Sequence, residues 1–269
     1  MSFKKILWTF KRHPFLYLTR FRLLSKNSNV SEIEDFTYNY VNDKADIPEY
    51  FHQVNTSVFS DGKPDTDLEV VKKLSNWLAN NIKGGPGLSV PSDEALKIML
   101  EGKGGVCSDI VQVFNNFCVI NGIKVREWGV TRAPFNKEYG GHSFNEVFCE
   151  ELNKWVLIDV SYCTLFYYED ETTPLSVIEL YQLLREHKNV HYKSFNEAKT
   201  PDKESVDKNY LNPDTIPFLI CNYSNKTYDS FLKYSRPLVP IFMIHFVLFT
   251  ISKSYYYKFP LDDYKKIFS

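Results

Sequence analysis

Cysteines spaced for a metal or a disulfide framework are missing from this chain. Its five cysteines, Cys107, Cys118, Cys149, Cys163 and Cys221, form no CxxC pair and leave an odd one over, which excludes a zinc site and a disulfide scaffold. Four of them are expected to be small buried hydrophobes in a reducing compartment. Net charge is also scarce: at −1 no global positive field attracts phosphates, so nucleic acid is excluded as a whole-protein partner. Long apolar runs are absent too. ILWTF ends after five residues at Lys11, too soon for a secretory signal, and a cytoplasmic protein is expected. The 14 residues from Leu238 to Ile251 include Pro240 and His245; that is short for a membrane span, and a buried element is expected. The acidic group Asp61, Asp65, Asp67 and Glu69 lacks the alternation of a calcium loop. Helix capping explains it better, so no metal and no cofactor is expected. There are no internal repeats and no low-complexity tracts.

What the chain has is core-forming material, 43% apolar in 269 residues, enough for one large domain or one domain with decorated ends. Thr66 and Glu69 have capping-box spacing, and Val70, Val71, Leu74, Trp77, Leu78 and Ile82 follow a helical period, predicting a helix over 66–83. A second helix is predicted from Ser92, as its cap, to Glu101. A third carries Ile110, Val111, Phe114, Phe117 and Cys118 on one face and ends at Asn121-Gly122. Residues 123–130 favour a strand, 142–149 and 154–160 a hairpin, 175–187 a helix, and 189–214 a polar loop. Residues 1–26 hold seven Lys or Arg and no Asp or Glu, interleaved with aromatics. Either they touch an anionic surface, or, as expected first, they form a terminal helix broken near Pro14 and packed on the domain.

The third helix begins where the turn Gly104-Gly105-Val106 meets Cys107. Unpaired N–H groups at a helix start favour a thiolate, and the glycines are expected to let a substrate approach. Asp109 is expected to oppose them by raising the thiol pKa, so a histidine is needed. A tight turn between Glu150 and Glu151 pairs residues whose numbers sum to 301, which sets His142 opposite Asp159 on one face of the sheet. There a carboxylate orients an imidazole toward a nucleophile.

Gly104-Gly-Val-Cys107-Ser-Asp109, Gly122-Ile-Lys-Val-Arg126, His142-Ser-Phe-Asn-Glu-Val147 and Trp155-Val-Leu-Ile-Asp159 resemble, in order and spacing, the core of the transglutaminase-like superfamily. The resemblance covers about residues 65–188. It implies an α+β, papain-like fold with the cysteine-bearing helix packed on an antiparallel sheet. It implies that Cys107 is the nucleophile, His142 the general base and acid, and Asp159 the orienting carboxylate. Phe144 stands where the family usually has Trp, which is expected to reshape the acceptor side of the pocket. The motif names no side-chain oxyanion donor; the backbone N–H of Cys107 is the one candidate.

The expected organisation is a basic, aromatic extension over 1–50, a catalytic core over 51–190, and a C-terminal extension over 191–269. The expected activity is acyl transfer from an amide-bearing peptide, protein or other substrate through a thioester, with hydrolysis favoured over amine acceptance. Rival readings are an N-acyltransferase using an acyl thioester, and a non-catalytic module at a membrane surface using residues 1–26 and 238–251.

Overall fold

The computed structural model describes residues 14–169, 172–198 and 200–269; residues 1–13, half of the basic terminal segment, lie outside the described residues. Helix α1 (Pro14–Leu24) leads into strand β1 (Ser25–Asn27). Four helices follow: α2 (Glu49–Val58), α3 (Asp67–Asn81), α4 (Ser92–Leu100) and α5 (Cys107–Asn121). Strands β2 (Val125–Arg132), β3 (His142–Cys149) and β4 (Lys154–Ile158) come next, then β5 (Thr164–Tyr167), α6 (Val177–Arg185) and β6 (His191–Ser194). The chain closes with α7 (Lys203–Val206), β7 (Thr215–Cys221), α8 (Asn225–Ser235), α9 (Ile241–Thr250) and β8 (Tyr256–Phe259).

The fold is α+β. One sheet runs β1-β8-β7-β2-β3-β4, antiparallel except for the β1–β8 pair, and β5 and β6 form a separate hairpin. Strands β1, β7 and β8 come from outside residues 51–190, so both described chain ends enlarge the sheet that the middle of the chain begins. All eight residues of β2 are buried because both faces of the sheet are covered. One core holds Leu74, Phe114, Phe117, Val125 and Val147 beneath α2–α5; the other holds Trp128, Phe144, Leu157, Phe166 and Tyr210. Phe21 of α1 packs on Phe218 and Tyr257.

Local signals act as predicted at several places. The Thr66 hydroxyl accepts from Glu69 N–H to start α3, and Gly122 ends α5 at φ 78°, a conformation that needs no Cβ. Ser92, in contrast, is not a cap; it lies inside α4, and its N–H and hydroxyl both go to Asp229. The expected polar loop over 189–214 contains β6, α7 and a π-turn at Asp207–Leu211 that buries Tyr210. The 238–251 stretch is a surface helix rather than a buried one: Ile244 and Leu248 face inward, while Met243, Phe246, Val247 and Phe249 are exposed. Among the described residues no helix is long and apolar enough to cross a membrane.

The largest correction concerns the hairpin. A short helical turn at Glu150–Leu152, closed by left-handed Asn153 (φ 47°), joins the strands, so paired residues sum to 303: Asn145 faces Ile158 and Phe148 faces Trp155. Continued by one step, this register sets Asp159 opposite Phe144 and diagonal to His142. A slip of one residue would have turned Asp159 to the other face, whereas a slip of two preserves it.

Several motif residues serve this scaffold. Arg126 and Glu146 pair at 3.4 Å with almost no exposure. Glu146 also accepts from Trp128 Nε1 (2.9 Å) and Val177 N–H (2.8 Å), and Arg126 lies 3.8 Å over the Trp155 ring. Burial pushes the Glu146 carboxyl up and the Arg126 guanidinium down despite their mutual attraction. Burial thus opposes the charged forms of both groups, and the surrounding hydrogen bonds offset part of that cost and fix their geometry. Arg126 also donates to the Phe36 and Ile33 carbonyls, so Glu146→Ala removes its counter-charge but not all of its acceptors and should cost about 3 kcal/mol in urea unfolding; a loss under about 1 kcal/mol would mean those carbonyls suffice.

Candidate active site

Cys107 opens α5 and is half-buried, while Cys118, Cys149, Cys163 and Cys221 are fully buried. The turn before it is held on both sides. Gly105 N–H donates to Pro86 O (3.0 Å), and Gly85 N–H donates to Gly105 O (2.9 Å). The expectation that Gly104 and Gly105 clear a path for substrate is not met: a Cβ on Gly104 would lie 2.5 Å from Leu88 Cδ2, and one on Gly105 2.6 Å from Met99 Sδ. Those glycines admit the protein's own side chains. Asp109 accepts from Val106 N–H at 3.0 Å and Leu88 N–H at 3.3 Å, so its carboxylate binds the turn together.

The structure brings all three predicted residues together. His142 Nε2 lies 2.8 Å from Asp159 Oδ2, which leaves Nδ1 as the ring nitrogen available to Cys107. Burial pushes the Cys107 thiol up, but a hydrogen bond with His142, the imidazolium charge and the Ser143 N–H together pull it below the ordinary thiol value. His142 shows the complement. Burial disfavours its charged form, yet the Asp159 carboxylate and the neighbouring thiolate overcome that and raise it to about 10. Both shifts run in the direction that favours a thiolate–imidazolium pair.

Asp159 is fully buried and holds more than the histidine. Its Oδ1 accepts from Tyr162 N–H (3.0 Å), and its Oδ2 also accepts from the Tyr210 hydroxyl. The Tyr162 ring stacks on His142 at 5.2 Å and 14°, Tyr210 meets it edge-on at 5.8 Å, and Phe144 lies 6.3 Å beneath. Phe144 thus supports the imidazole from the core and does not line the cavity beside Cys107, contrary to its expected role at the acceptor side. Tyr162 and Tyr210 are the residues that sequence reasoning missed. One signal was available: a carboxylate buried at a strand end has about four acceptor positions, and one imidazole fills one of them.

A cavity of about 470 Å³ opens beside Cys107 and His142, between α5, the β2 and β7 strands and helices α8 and α9. At its floor Glu127 accepts from the side-chain amides of Gln112 and Asn115, and Asn115 in turn accepts from Asn145 at 2.7 Å. Among the described residues no His/Cys/Asp/Glu group is arranged to hold a metal ion.

The expected consequence is an early-titrating thiol. Because the Cys107 shift is downward, its iodoacetamide alkylation should already be fast at neutral pH, with a midpoint well below the ordinary thiol value of about 8.5. A midpoint at or above that value contradicts the pairing with His142.

Known proteins offer few likenesses to this chain. No curated protein matches it. One solved structure, "a putative cysteine protease from Cytophaga hutchinsonii", aligns at 18% identity and a TM-score of 0.31 over 49% of this chain and 47% of that one; the match spans about half of that protein's length. The family model of the transglutaminase-like superfamily matches residues 52–160, the stretch from α2 through Asp159 that carries Cys107, His142 and Asp159. Residues 52–160 are therefore similar to the transglutaminase-like superfamily.

Proposed function

We propose that this protein is a thiol-dependent acyl-transfer enzyme acting on amide bonds, with Cys107, His142 and Asp159 as its catalytic triad. The observation that carries the reading is the buried chain of contacts from Asp159 through His142 to the thiol at the start of α5. The Cys107 thiolate attacks the amide carbonyl carbon, and the oxyanion forms at the first turn of α5, where the Cys107 N–H is a donor. The His142 imidazolium gives its proton to the departing amine, leaving a thioester on Cys107. His142, neutral after that transfer, takes a proton from water as the water attacks the thioester, and the acid product leaves. Asp159 keeps the ring oriented throughout, and Tyr210 and Tyr162 hold Asp159 in place. We favour water over an amine as the acceptor, so the reaction is that of a cysteine protease or amidase.

An N-acyltransferase that takes its acyl group from a phosphate-bearing thioester cofactor needs cations near the thiol. Among the described residues no Lys or Arg lines the cavity itself, and Arg20 beside it is engaged by Tyr255, which favours the amide reading.

Where the enzyme works is a separate proposal. The outer face of α9 presents Met243, Phe246, Val247 and Phe249 to solvent, with Lys233 and Lys253 exposed near its ends. That pairing of apolar and basic groups suits peripheral attachment to an anionic bilayer. Vesicles containing anionic lipid should pellet the full chain, and a Met243→Glu/Phe246→Glu double variant should pellet at least about tenfold less. Equal pelleting of both proteins removes α9 from the interaction.

For catalysis, Asp159→Asn should leave the fold intact by circular dichroism and lower kcat/KM on a fluorogenic peptide amide by about 10²–10⁴-fold. Activity within about threefold of the unmodified enzyme would show that His142 needs no carboxylate.

A further inference from the structure

The cavity beside Cys107 has an unusual balance of polar groups. Asp109, Glu127 and Asp229 all line it, and no Lys or Arg does among the described residues. The Asp109 carboxylate is engaged by the Val106 and Leu88 backbone. The other two have only neutral donors: the amides of Gln112 and Asn115 for Glu127, and Ser92 with Asn225 for Asp229. Burial lifts Glu127 to about 8 and Asp229 to about 6, against the hydrogen bonds they accept. Carboxyls buried in this way are costly unless something compensates them. The Gln112 amide that donates to Glu127 leaves its own buried carbonyl oxygen without a protein partner. The site is rich in acceptors and short of donors.

Its wall is aromatic. Tyr223 stacks on Tyr228 at 4.4 Å and on Tyr255 at 5.7 Å, and all three line the cavity. The Glu127 and Asp229 carboxyls both act on Tyr223, so the acids and the rings share one neighbourhood. His245, also on the wall, is driven by burial down to about 3 and brings no charge at neutral pH. One cation of the chain already lies against this wall: the Arg20 guanidinium donates to the Tyr255 hydroxyl and sits 5.5 Å over its ring. Ring faces and carboxylates together bind ammonium and guanidinium groups elsewhere in proteins.

We propose that this cavity is a subsite for a cationic side chain of the acyl substrate, an ammonium or guanidinium seated beside Glu127 and Asp229 at the Tyr223–Tyr228 stack, away from Tyr255, whose ring the protein's own Arg20 already covers. This rests on Cys107 being the nucleophile. The cation is a recognition element and not the attacking amine: paired with a carboxylate it stays protonated and has no lone pair to offer. On its entry Glu127 releases its proton to solvent and becomes the counter-ion, while the Gln112 carbonyl gains an N–H donor.

The test uses matched methanethiosulfonate reagents, one bearing an ethylammonium and one an ethylsulfonate. Each transfers its thioalkyl group to the Cys107 thiolate as a disulfide and releases methanesulfinate. The absolute rates report on activation of Cys107, whereas the cation-to-anion rate ratio, divided by the same ratio for 2-mercaptoethanol, reports on the subsite. The corrected ratio should be at least about tenfold in the unmodified protein. It should fall by at least about threefold in Glu127→Gln or, independently, in Asp229→Asn. A corrected ratio near one, or a high ratio that both variants keep, overturns the proposal. Slow reaction with both reagents counts against an activated Cys107 and leaves the ratio to be judged on its own.

Discussion

A carboxylate withdrawn completely from water has to be surrounded by donors, and that requirement at Asp159 organises much of the molecule. Asp159 ends β4 with no exposure and takes hydrogen bonds from His142 on β3, from the Tyr162 backbone in the turn that follows, and from Tyr210 on the π-turn before β7. Three separate stretches of chain converge on one side chain, and the cost of burying its charge is offset only when all of them are in place. The same groups hold the imidazole in place, so the contacts that close the core also set the ring beside Cys107.

This convergence explains why the C-terminal part of the chain belongs to the site. Residues 203–221 supply Tyr210 and β7; β7 pairs with β2 across six residue pairs from Glu127 to Arg132, and α8 and α9 then wall the cavity. Segment 52–160 contains Cys107, His142 and Asp159, whereas the Tyr162 and Tyr210 contacts to Asp159 and much of the cavity wall come from outside it. The segment that resembles the transglutaminase-like core is therefore completed by elements that its motifs do not mention.

Much of this was legible in the residues. The Gly-Gly-Val-Cys turn marked the start of α5, Gly122 marked its end, and the period of α3 and the alternation of β3 and β4 marked their elements. His142 and Asp159 were placed on one face from a register two residues wrong, because a pleated strand repeats every two residues and the error was even. What was hidden has a common cause. Tyr210, Phe144, Gly104 and Asp109 take their roles from neighbours distant in sequence, and local periodicity carries no trace of those contacts. A tyrosine in a polar stretch reads as loop until a buried carboxylate claims it, and a glycine beside a nucleophile reads as a substrate path until Leu88 and Met99 fill the space.

The central claim is that Cys107 and His142 exist as a thiolate–imidazolium pair, since the nucleophile, the proton for the leaving amine and the need for Asp159 all follow from it. Ring-nitrogen NMR of His142 against pH, in the unmodified protein and in Cys107→Ser, tests it directly. The expected result is an imidazolium that persists through neutral pH toward about 10 and loses its proton at lower pH once the thiolate is gone, the two groups titrating as a coupled pair. A ring that titrates near the ordinary value of about 6.5 in both proteins would contradict it.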